Sequence, residues 1–238
     1  MTAPVLIPGA DARILLICDH ASNAVPPGIE LGVPEAAMQD HVAWDIGAAA
    51  ITGRIAALLN CPAWLASVSR LVVDCNRPPE HSVSEKSDGL VIPGNVGLEP
   101  AALEARHALH ALFHDGIVAL LAKGHPRLMV SIHSFTPALA SAPAPRPWPI
   151  AILWNEDYRA AELGLAALEE EPGLPGPVGA NEPYSGKVLN YTMDRHAEAH
   201  GLPYLGFEIR QDLITDAAGQ DRYAAIVARA ITTTLEGL

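Results

Sequence analysis

The chain has 238 residues and a mass of 25.1 kDa, enough for one large hydrophobic core, and we expect residues 1–238 to form a single domain. Half of the residues are apolar and 18% are charged, a composition that excludes an intrinsically disordered chain. The net charge of −12, with only 15 lysines and arginines, argues against nucleic acid as a partner, because phosphate-binding surfaces need clustered positive charge.

Neither export nor membrane insertion is indicated by the sequence. The three cysteines, Cys18, Cys61 and Cys75, are widely spaced and odd in number, which fits neither a disulfide framework nor a thiolate metal site. The first residues lack a basic segment followed by an apolar stretch, and no apolar run approaches about 18 residues. We therefore predict a cytoplasmic protein without a membrane partner.

Short aliphatic runs alternate along the chain with longer segments of helical period, a pattern typical of α/β proteins. The predicted strands are residues 13–18, 63–67, 71–75, 128–133, 150–154 and 204–210. The predicted helices are residues 45–59, 100–123, 158–170, 193–200 and 222–235. Most of these strands are apolar throughout, as expected for a sheet covered on both faces. Segments 77–97 and 137–149 are rich in turn residues, and we expect either binding loops or flexible decoration there.

Polar residues follow three of the predicted strands at their carboxyl ends. These residues are Asp19, His20 and Asn23 after strand 13–18, Asp74, Asn76 and Arg77 at the end of strand 71–75, and His133 and Ser134 at the end of strand 128–133. Ligands of open α/β sheets bind outside the carboxyl ends of the strands. We therefore expect the three clusters to converge in space.

A glutamate inside the last predicted strand adds a carboxylate to this edge of the sheet. Because side chains alternate between faces, Glu208 and Arg210 share the face opposite to the apolar side chains of that strand. A buried glutamate needs a cation nearby, so this pattern fits either an ion pair with Arg210 or a functional carboxylate. Imidazoles that bind the metal and a carboxylate that acts as base are the groups of a mononuclear zinc hydrolase. Each histidine alone fits a structural role, but the combination of His20, His133 and Glu208 favours the zinc site.

Three further histidines, His107, His110 and His114, share one face of the helix predicted at residues 100–123. The spacing of His110 and His114 allows chelation, but the glutamate of an HExxH motif is missing. The sequence therefore favours a solvated or core-edge helix face over a second metal site.

Arginines provide the positive charge that an acidic substrate needs in an acidic protein. Arg70 precedes the strand predicted at residues 71–75, Arg77 follows it, and Arg210 ends the last predicted strand. A guanidinium group binds a carboxylate through two hydrogen bonds and can also stabilise an oxyanion. A surface salt bridge is the alternative for each of them, taken singly.

Six segments together resemble the N-formylglutamate amidohydrolase family. They are DHASN at 19–23, HVAWDIG at 41–47, SRLVVDCNRP at 69–78, SIHSF at 131–135, NEPYSG at 181–186 and EIRQDL at 208–213. The resemblance extends from residue 13 to about residue 214, and the Ser-Arg…Asp-x-Asn-Arg segment is its most specific part.

The resemblance implies a fold and a set of roles, because this family is similar in design to zinc carboxypeptidases and aspartoacylases. It implies a three-layer αβα sandwich with a mixed, mostly parallel central sheet and one bound divalent metal, zinc. It also implies roles for particular residues: His20 and His133 as metal ligands, Glu208 as general base, Arg70 as oxyanion stabiliser, and Asn76 and Arg77 as the clamp on the substrate carboxylate. From their positions at strand ends, we expect Ser134 and Arg210 to be further substrate-binding residues.

One position departs from the carboxypeptidase-like pattern. That pattern has a glutamate ligand three residues after the first histidine, where this chain has Asn23, and an amide oxygen is a poor zinc ligand beside a carboxylate. We therefore predict Asp45 as the third ligand, with Asn23 or water as alternatives. Asn23 is then expected among the substrate-binding residues.

The resulting hypothesis is a metal-dependent hydrolase that releases formate, or another small acyl group, from a small acidic N-acyl amino acid such as N-formyl-L-glutamate. The resemblance also implies a place in histidine degradation. Two alternatives stay open: a deacylase of another N-acyl amino acid or small peptide, and a non-catalytic binding protein with a degenerate metal site.

Overall fold

The computed structural model describes residues 3–139, 141 and 144–238. The strands within these residues are β1 (Val5–Ile7), β2 (Ile14–Cys18), β3 (Ala63–Leu65), β4 (Lys86–Ser87), β5 (Leu90–Val91), β6 (Leu128–Phe135), β7 (Ile150–Leu153), β8 (Val178–Ala180) and β9 (Tyr204–Arg210). The helices are α1 (Ala48–Leu59), α2 (Pro100–Gly124), α3 (Arg159–Glu169), α4 (Tyr191–His196) and α5 (Ala217–Gly237). The described strands form a seven-stranded sheet in the order β1-β3-β2-β6-β9-β7-β8 and a separate β4–β5 hairpin.

The sheet is mixed and mostly parallel, as predicted. Only the β1–β3 and β7–β9 pairs among the described strands of this sheet are antiparallel. Alternate side chains of β2 enter two different cores: Leu16 packs with residues of α1, α3 and α5, and Ile17 packs with residues of α2 and α4. Helices therefore cover both faces of the sheet, which confirms the three-layer αβα sandwich. Among the described residues, no helix combines the length and the apolar character needed to cross a membrane.

The predicted strand at residues 71–75 is wrong. These residues form turns, in which the Val72 and Val73 amides donate to Ser69 O and the Asp74 amide donates to Ser82 O. Leu71, Val72 and Val73 are buried in a third, smaller core beneath the loops rather than in the sheet. An aliphatic run indicates that its side chains are buried but not what covers them. Here loops and α2 cover them instead of neighbouring strands.

The other predicted strands are present, with small shifts of their ends. Two three-residue strands, β1 and β8, have no prediction in the sequence because they are too short to show a period. The segment at 77–97, for which the sequence predicts a loop, contains the β4–β5 hairpin. Helix α5 begins five residues earlier than predicted, since the Asp216 carboxylate caps it by accepting from the Gly219 amide at 2.8 Å.

Helix α1 begins three residues later than predicted because of the backbone at Gly47. Gly47 has φ of 85°, in the left-handed region, and a Cβ atom there would lie 2.8 Å from the carbonyl oxygen of Ile214. This glycine therefore allows the chain to turn closely past the end of β9 into α1. Asp45 lies two residues before it.

Replacing Gly47 with alanine tests this close approach. We expect Gly47→Ala to lower the free energy of unfolding by about 2–4 kcal/mol, from the left-handed backbone and the contact with Ile214 together. The matched control is Gly28→Ala, where φ is 84° but nothing lies within 4 Å of the added Cβ, so that only the backbone cost of about 1–2 kcal/mol applies. Urea denaturation of both variants measures the difference, and equal losses would contradict the role of the Ile214 contact.

Candidate active site

A cavity of about 330 Å³ opens at the carboxyl ends of β2, β6 and β9. Residues predicted for the site from all three polar clusters line it, so the expected convergence occurs. The lining residues are His20, His41, Asp45, Arg70, Asp74, Asn76, Arg77, Ser87, Asp88, His133, Ser134, Phe135, Thr136, Leu139, Ser141, Tyr184, Leu189 and Glu208.

Three buried side chains beside this cavity bring one ligand atom each to a common point. In Asp19, His20 and His133 these atoms all lie within 4.8 Å of one another, and no other such group occurs among the described residues. Asp19 Oδ1 lies 3.3 Å from His133 Nε2 and 4.0 Å from His20 Nδ1. Asp19 Oδ1 and His20 Nδ1 are buried without a hydrogen-bond partner in the described part of the chain. Two imidazoles and a carboxylate with unsatisfied atoms are a donor set that fits one zinc ion.

The outer nitrogen of each imidazole donates to a carboxylate. His20 Nε2 donates to Asp74 Oδ1 at 2.7 Å, and His133 Nδ1 donates to Asp45 Oδ2 at 2.9 Å. Contacts of this kind fix the tautomer and the ring orientation of metal-binding histidines. Asp45, predicted as the third ligand, contacts both rings through Oδ2, which lies 2.9 Å from His133 Nδ1 and 3.5 Å from His20 Nδ1 and also accepts from the Ser134 amide at 3.3 Å. The sequence did not single out Asp19 as a ligand, although it directly follows β2.

The carboxylates make this point strongly negative. Burial opposes charge on His20, as Arg70 does, yet Asp74 and Asp45 raise the pKa of His20 to about 9. Burial likewise opposes charge on His133, and Asp19 and Asp45 raise its pKa to about 10. The site therefore favours positive charge, which protonated imidazoles or a divalent cation supply.

Glu208 lies on β9 directly beside His133 on β6, in the same register of the parallel pair. Its side chain is buried, and Oε2 has no hydrogen-bond partner among the residues that the structure describes. Burial raises the pKa of Glu208 to about 7, against the opposing effect of His133. A carboxyl group of this kind exchanges protons near neutral pH, as a general acid and base must.

Arg70 and Arg77 meet at one carboxylate, Asp74. Arg70 Nη2 lies 3.0 Å and Arg77 Nε 3.3 Å from Asp74 Oδ2, and Arg70 Nη1 reaches Asp45 Oδ1 at 3.4 Å. Both guanidinium groups line the cavity. Beside them, Asn76 uses its Oδ1 to accept from the Thr192 amide at 3.0 Å.

Two predicted substrate-binding residues do not line the cavity. Asn23 donates through Nδ2 to Met38 O at 2.7 Å, so its amide fixes a loop. Arg210 pairs with Asp212 at 2.7 Å rather than with Glu208, which removes the simple ion-pair interpretation of the last strand. Ser134 does line the cavity, with its hydroxyl donating to Ile46 O at 2.8 Å.

Loop residues that the sequence did not single out close one side of the cavity. Asp88, at the tip of the β4–β5 hairpin, accepts from His41 Nε2 at 3.1 Å and from the amide and hydroxyl of Ser141. This contact joins three loops, including the segments 77–97 and 137–149. Tyr184 accepts from Arg146 Nη1 at 3.0 Å on another side. The segments HVAWDIG and NEPYSG contain His41 and Tyr184, and they were the available signal.

Two histidines of α2, His110 and His114, are buried and donate to carbonyl groups of the turn at residues 75–77. His110 Nε2 donates to Arg77 O and His114 Nε2 to Cys75 O, each at 2.9 Å, and His114 Nδ1 accepts from His196 Nε2 at 2.8 Å. Burial lowers the pKa of His114 to about 2 and that of His196 to about 4. These contacts agree with the core-edge interpretation of this helix face.

The sequence model of the N-formylglutamate amidohydrolase family matches residues 12–215. The chain belongs to this family. Membership makes it a hydrolase that acts on an amide bond, and the six segments that carry the resemblance all lie within the matched residues. Our search of the curated proteins finds no match.

Two solved structures share the fold of this N-formylglutamate amidohydrolase family member. The gene product Atu2144 from Agrobacterium tumefaciens is 32% identical, with a TM-score of 0.90 over 99% of this chain and 96% of that protein. The N-formylglutamate amidohydrolase from Ralstonia eutropha JMP134 is 15% identical, with a TM-score of 0.73 over 99% of this chain and 97% of that protein. At 15% identity the second likeness supports the αβα fold alone.

The buried histidines behind the site make the stability of this family member depend on pH. The pKa values of His114 and His196 are lower in the folded than in the unfolded chain, so the unfolded chain binds more protons below about pH 6.5 and the contribution of these two histidines to stability falls as the pH falls. His20 and His133, whose pKa values are raised, contribute with the opposite sign in the metal-free chain. From about pH 7.5 to about pH 5 the loss is roughly 2 kcal/mol for each histidine.

The His114→Gln variant, compared with the unmodified chain by urea denaturation in the presence of chelator, measures this contribution. We expect the variant to lose about 2 kcal/mol less over the same pH interval, because one depressed pKa is removed. Identical pH dependence of the two proteins would contradict the assignment.

Proposed function

We propose that this chain is a zinc-dependent amidohydrolase that releases formate from N-formyl-L-glutamate or a closely similar acidic N-acyl amino acid. The observation that carries the proposal is the meeting of Asp19, His20 and His133 at one point, with Glu208 beside His133. We assign zinc to Asp19, His20 and His133. Asp45, our ligand prediction from sequence, is reassigned to hold the His133 ring.

Zinc bound to two imidazoles and a carboxylate supplies a Lewis acid that polarises an amide carbonyl and activates water. Glu208 accepts a proton from the attacking water and delivers it to the departing amine nitrogen, so that the C–N bond breaks and formate leaves with the hydroxyl group of water. The pKa of Glu208 near 7 suits both transfers. Arg70 stabilises the developing oxyanion, and Arg77 with Asn76 binds the substrate carboxylate.

A related activity, the removal of a larger acyl group, is favoured by one specific observation. Part of the cavity wall is apolar and consists of Phe135, Leu139 and Leu189. A formyl group carries only a hydrogen atom on its carbonyl carbon and does not need such a surface, whereas a larger acyl chain could pack against it. Comparison of kcat/KM for N-formyl, N-acetyl and N-succinyl amino acids separates the two activities. The non-catalytic alternative has less support, because Asp19 provides the carboxylate that Asn23 does not.

The setting of the enzyme is also a proposal. Cys18, Cys61 and Cys75 are free and buried, which fits a reducing compartment. We propose a cytoplasmic enzyme, with residues 1–238 acting as one domain, and with a role in histidine degradation if N-formyl-L-glutamate is the substrate.

Metal dependence and the role of Glu208 are tested together on purified protein. We expect about one zinc per chain, loss of formate release with chelator, and recovery with added zinc. Glu208→Gln should keep zinc and lower kcat by on the order of 10² to 10⁴. The control is Glu104→Gln on the exposed surface of α2, which should keep full activity. Full turnover by the Glu208 variant would remove the proposed base.

Substrate binding by Arg77 is tested by comparison with Arg210. Arg77→Ala should raise KM for an acidic N-acyl amino acid by roughly 10-fold to 100-fold, because a charge-assisted contact to the substrate carboxylate is lost. Arg210→Ala removes the same charge outside the cavity and should leave KM unchanged. Steady-state kinetics of formate release measures both. An unchanged KM in the Arg77 variant would contradict its role, and a raised KM in the Arg210 variant would restore the prediction made from sequence.

A further inference from the structure

The two oxygens of the Asp19 carboxylate have different surroundings. Oδ1 lies with the ligand atoms of His20 and His133, whereas Oδ2 accepts a hydrogen bond from Thr192 Oγ1 at 2.8 Å. Thr192 lies in the first turn of α4, is 173 residues away in sequence, and is fully buried. One hydroxyl group therefore occupies the oxygen of Asp19 that does not join the ligand group.

Thr192 also contacts the turn at residues 75–77, which contains Asn76 and Arg77. Its hydroxyl lies 3.2 Å from Cys75 O, and its amide donates to Asn76 Oδ1 at 3.0 Å. A threonine hydroxyl has one proton and can donate one strong hydrogen bond. The contact to Asp19 is shorter and its acceptor is charged, so the Thr192 hydroxyl donates to Asp19 rather than to Cys75 O. Thr192 thus connects Asp19 to Cys75 and Asn76, the two residues between Asp74 and Arg77 in the sequence.

The position of Thr192 is fixed by the packing of α4. Met193, the next residue, is buried in the core between the sheet and α2. His196, one turn later, contacts His114 of α2 through the 2.8 Å hydrogen bond. Because Met193 and His196 both fix α4, the Thr192 hydroxyl has little freedom to move. Its hydrogen bond therefore restricts rotation of the Asp19 carboxylate.

We propose that Thr192 is a positioning residue of the zinc site, whose hydroxyl holds Asp19 so that Oδ1 faces His20 and His133. This inference rests on the proposed function, since it assumes that Asp19 binds zinc. Without the hydroxyl, Asp19 Oδ2 is left buried without its donor and the carboxylate is free to turn away from the histidines. Zinc affinity, rather than the fold, is the property that this residue controls.

The experiment measures zinc affinity of the metal-free protein by competition with a chromophoric chelator. Thr192→Val keeps the side-chain shape and the amide bond to Asn76 but removes the hydroxyl, and we expect zinc affinity to fall by about 10-fold to 100-fold. Thr192→Ser keeps the hydroxyl and should stay within about 3-fold of the unmodified chain. The stabilisation by zinc, measured as the rise in Tm at fixed zinc concentration, should shrink in the valine variant only.

Thr234→Val is the matched control. Thr234, on α5, is also fully buried, but its hydroxyl has no hydrogen-bond partner among the described residues. The same chemical change should therefore leave zinc affinity as it is. A second test uses Asp19→Ala as background, in which Thr192→Val should have no further effect on zinc affinity if Thr192 acts through Asp19.

The outcomes separate this inference from the proposed function. An unmodified chain that binds no zinc overturns both. Zinc binding by the unmodified chain with equal affinity in Thr192→Val overturns the role of Thr192 alone, and so does a serine variant as weak as the valine variant. If Thr192→Val does not fold, Thr192→Ala removes the same hydroxyl with a smaller side chain, and unchanged zinc affinity in that variant overturns the inference equally.

Discussion

The geometry of the site depends on two hydrogen bonds between a buried histidine and a buried carboxylate. His20 donates to Asp74 and His133 donates to Asp45, and each bond occupies the ring nitrogen that faces away from Asp19. An imidazole held in this way has its tautomer and its ring plane fixed. The remaining nitrogens, His20 Nδ1 and His133 Nε2, then lie 4.0 Å and 3.3 Å from Asp19 Oδ1. Loss of either outer carboxylate would disorder the site even though every proposed metal ligand was kept.

Asp74 joins the two functions of the cavity. It accepts from His20, on the side of the proposed metal, and from Arg70 and Arg77, on the side of the proposed substrate carboxylate. A substrate carboxylate that binds Arg77 competes with Asp74 for the same guanidinium group. Under the proposed function, binding of an acidic substrate would change the charge balance around His20, and substrate recognition and the strength of the metal site would be linked in one electrostatic network.

Sequence reasoning found the parts of the site that strands position and missed the parts that loops position. The convergence of His20, His133 and Glu208 at one edge of the sheet was predictable, because strand ends converge in any sheet of this class. The place of Asp19 in this group was not predictable, since it depends on which oxygen of its carboxylate faces the histidines. The aliphatic run at 71–75 correctly indicated buried side chains, but these side chains pack against loops and α2 and not within the sheet. The contact of Asp88 with His41 depends on the path of two loops, and no periodicity records such a path.

The register of β6 and β9 fixes His133 beside Glu208 independently of the loops that complete the cavity. His133 and Glu208 face each other across a hydrogen-bonded pair of strands, so their spacing is a property of the main chain. A single inserted or deleted residue in either strand would turn one of these side chains to the opposite layer. The loops that complete the cavity are under no such restriction. An exchange of loop residues would therefore reshape the cavity wall without moving His133 relative to Glu208.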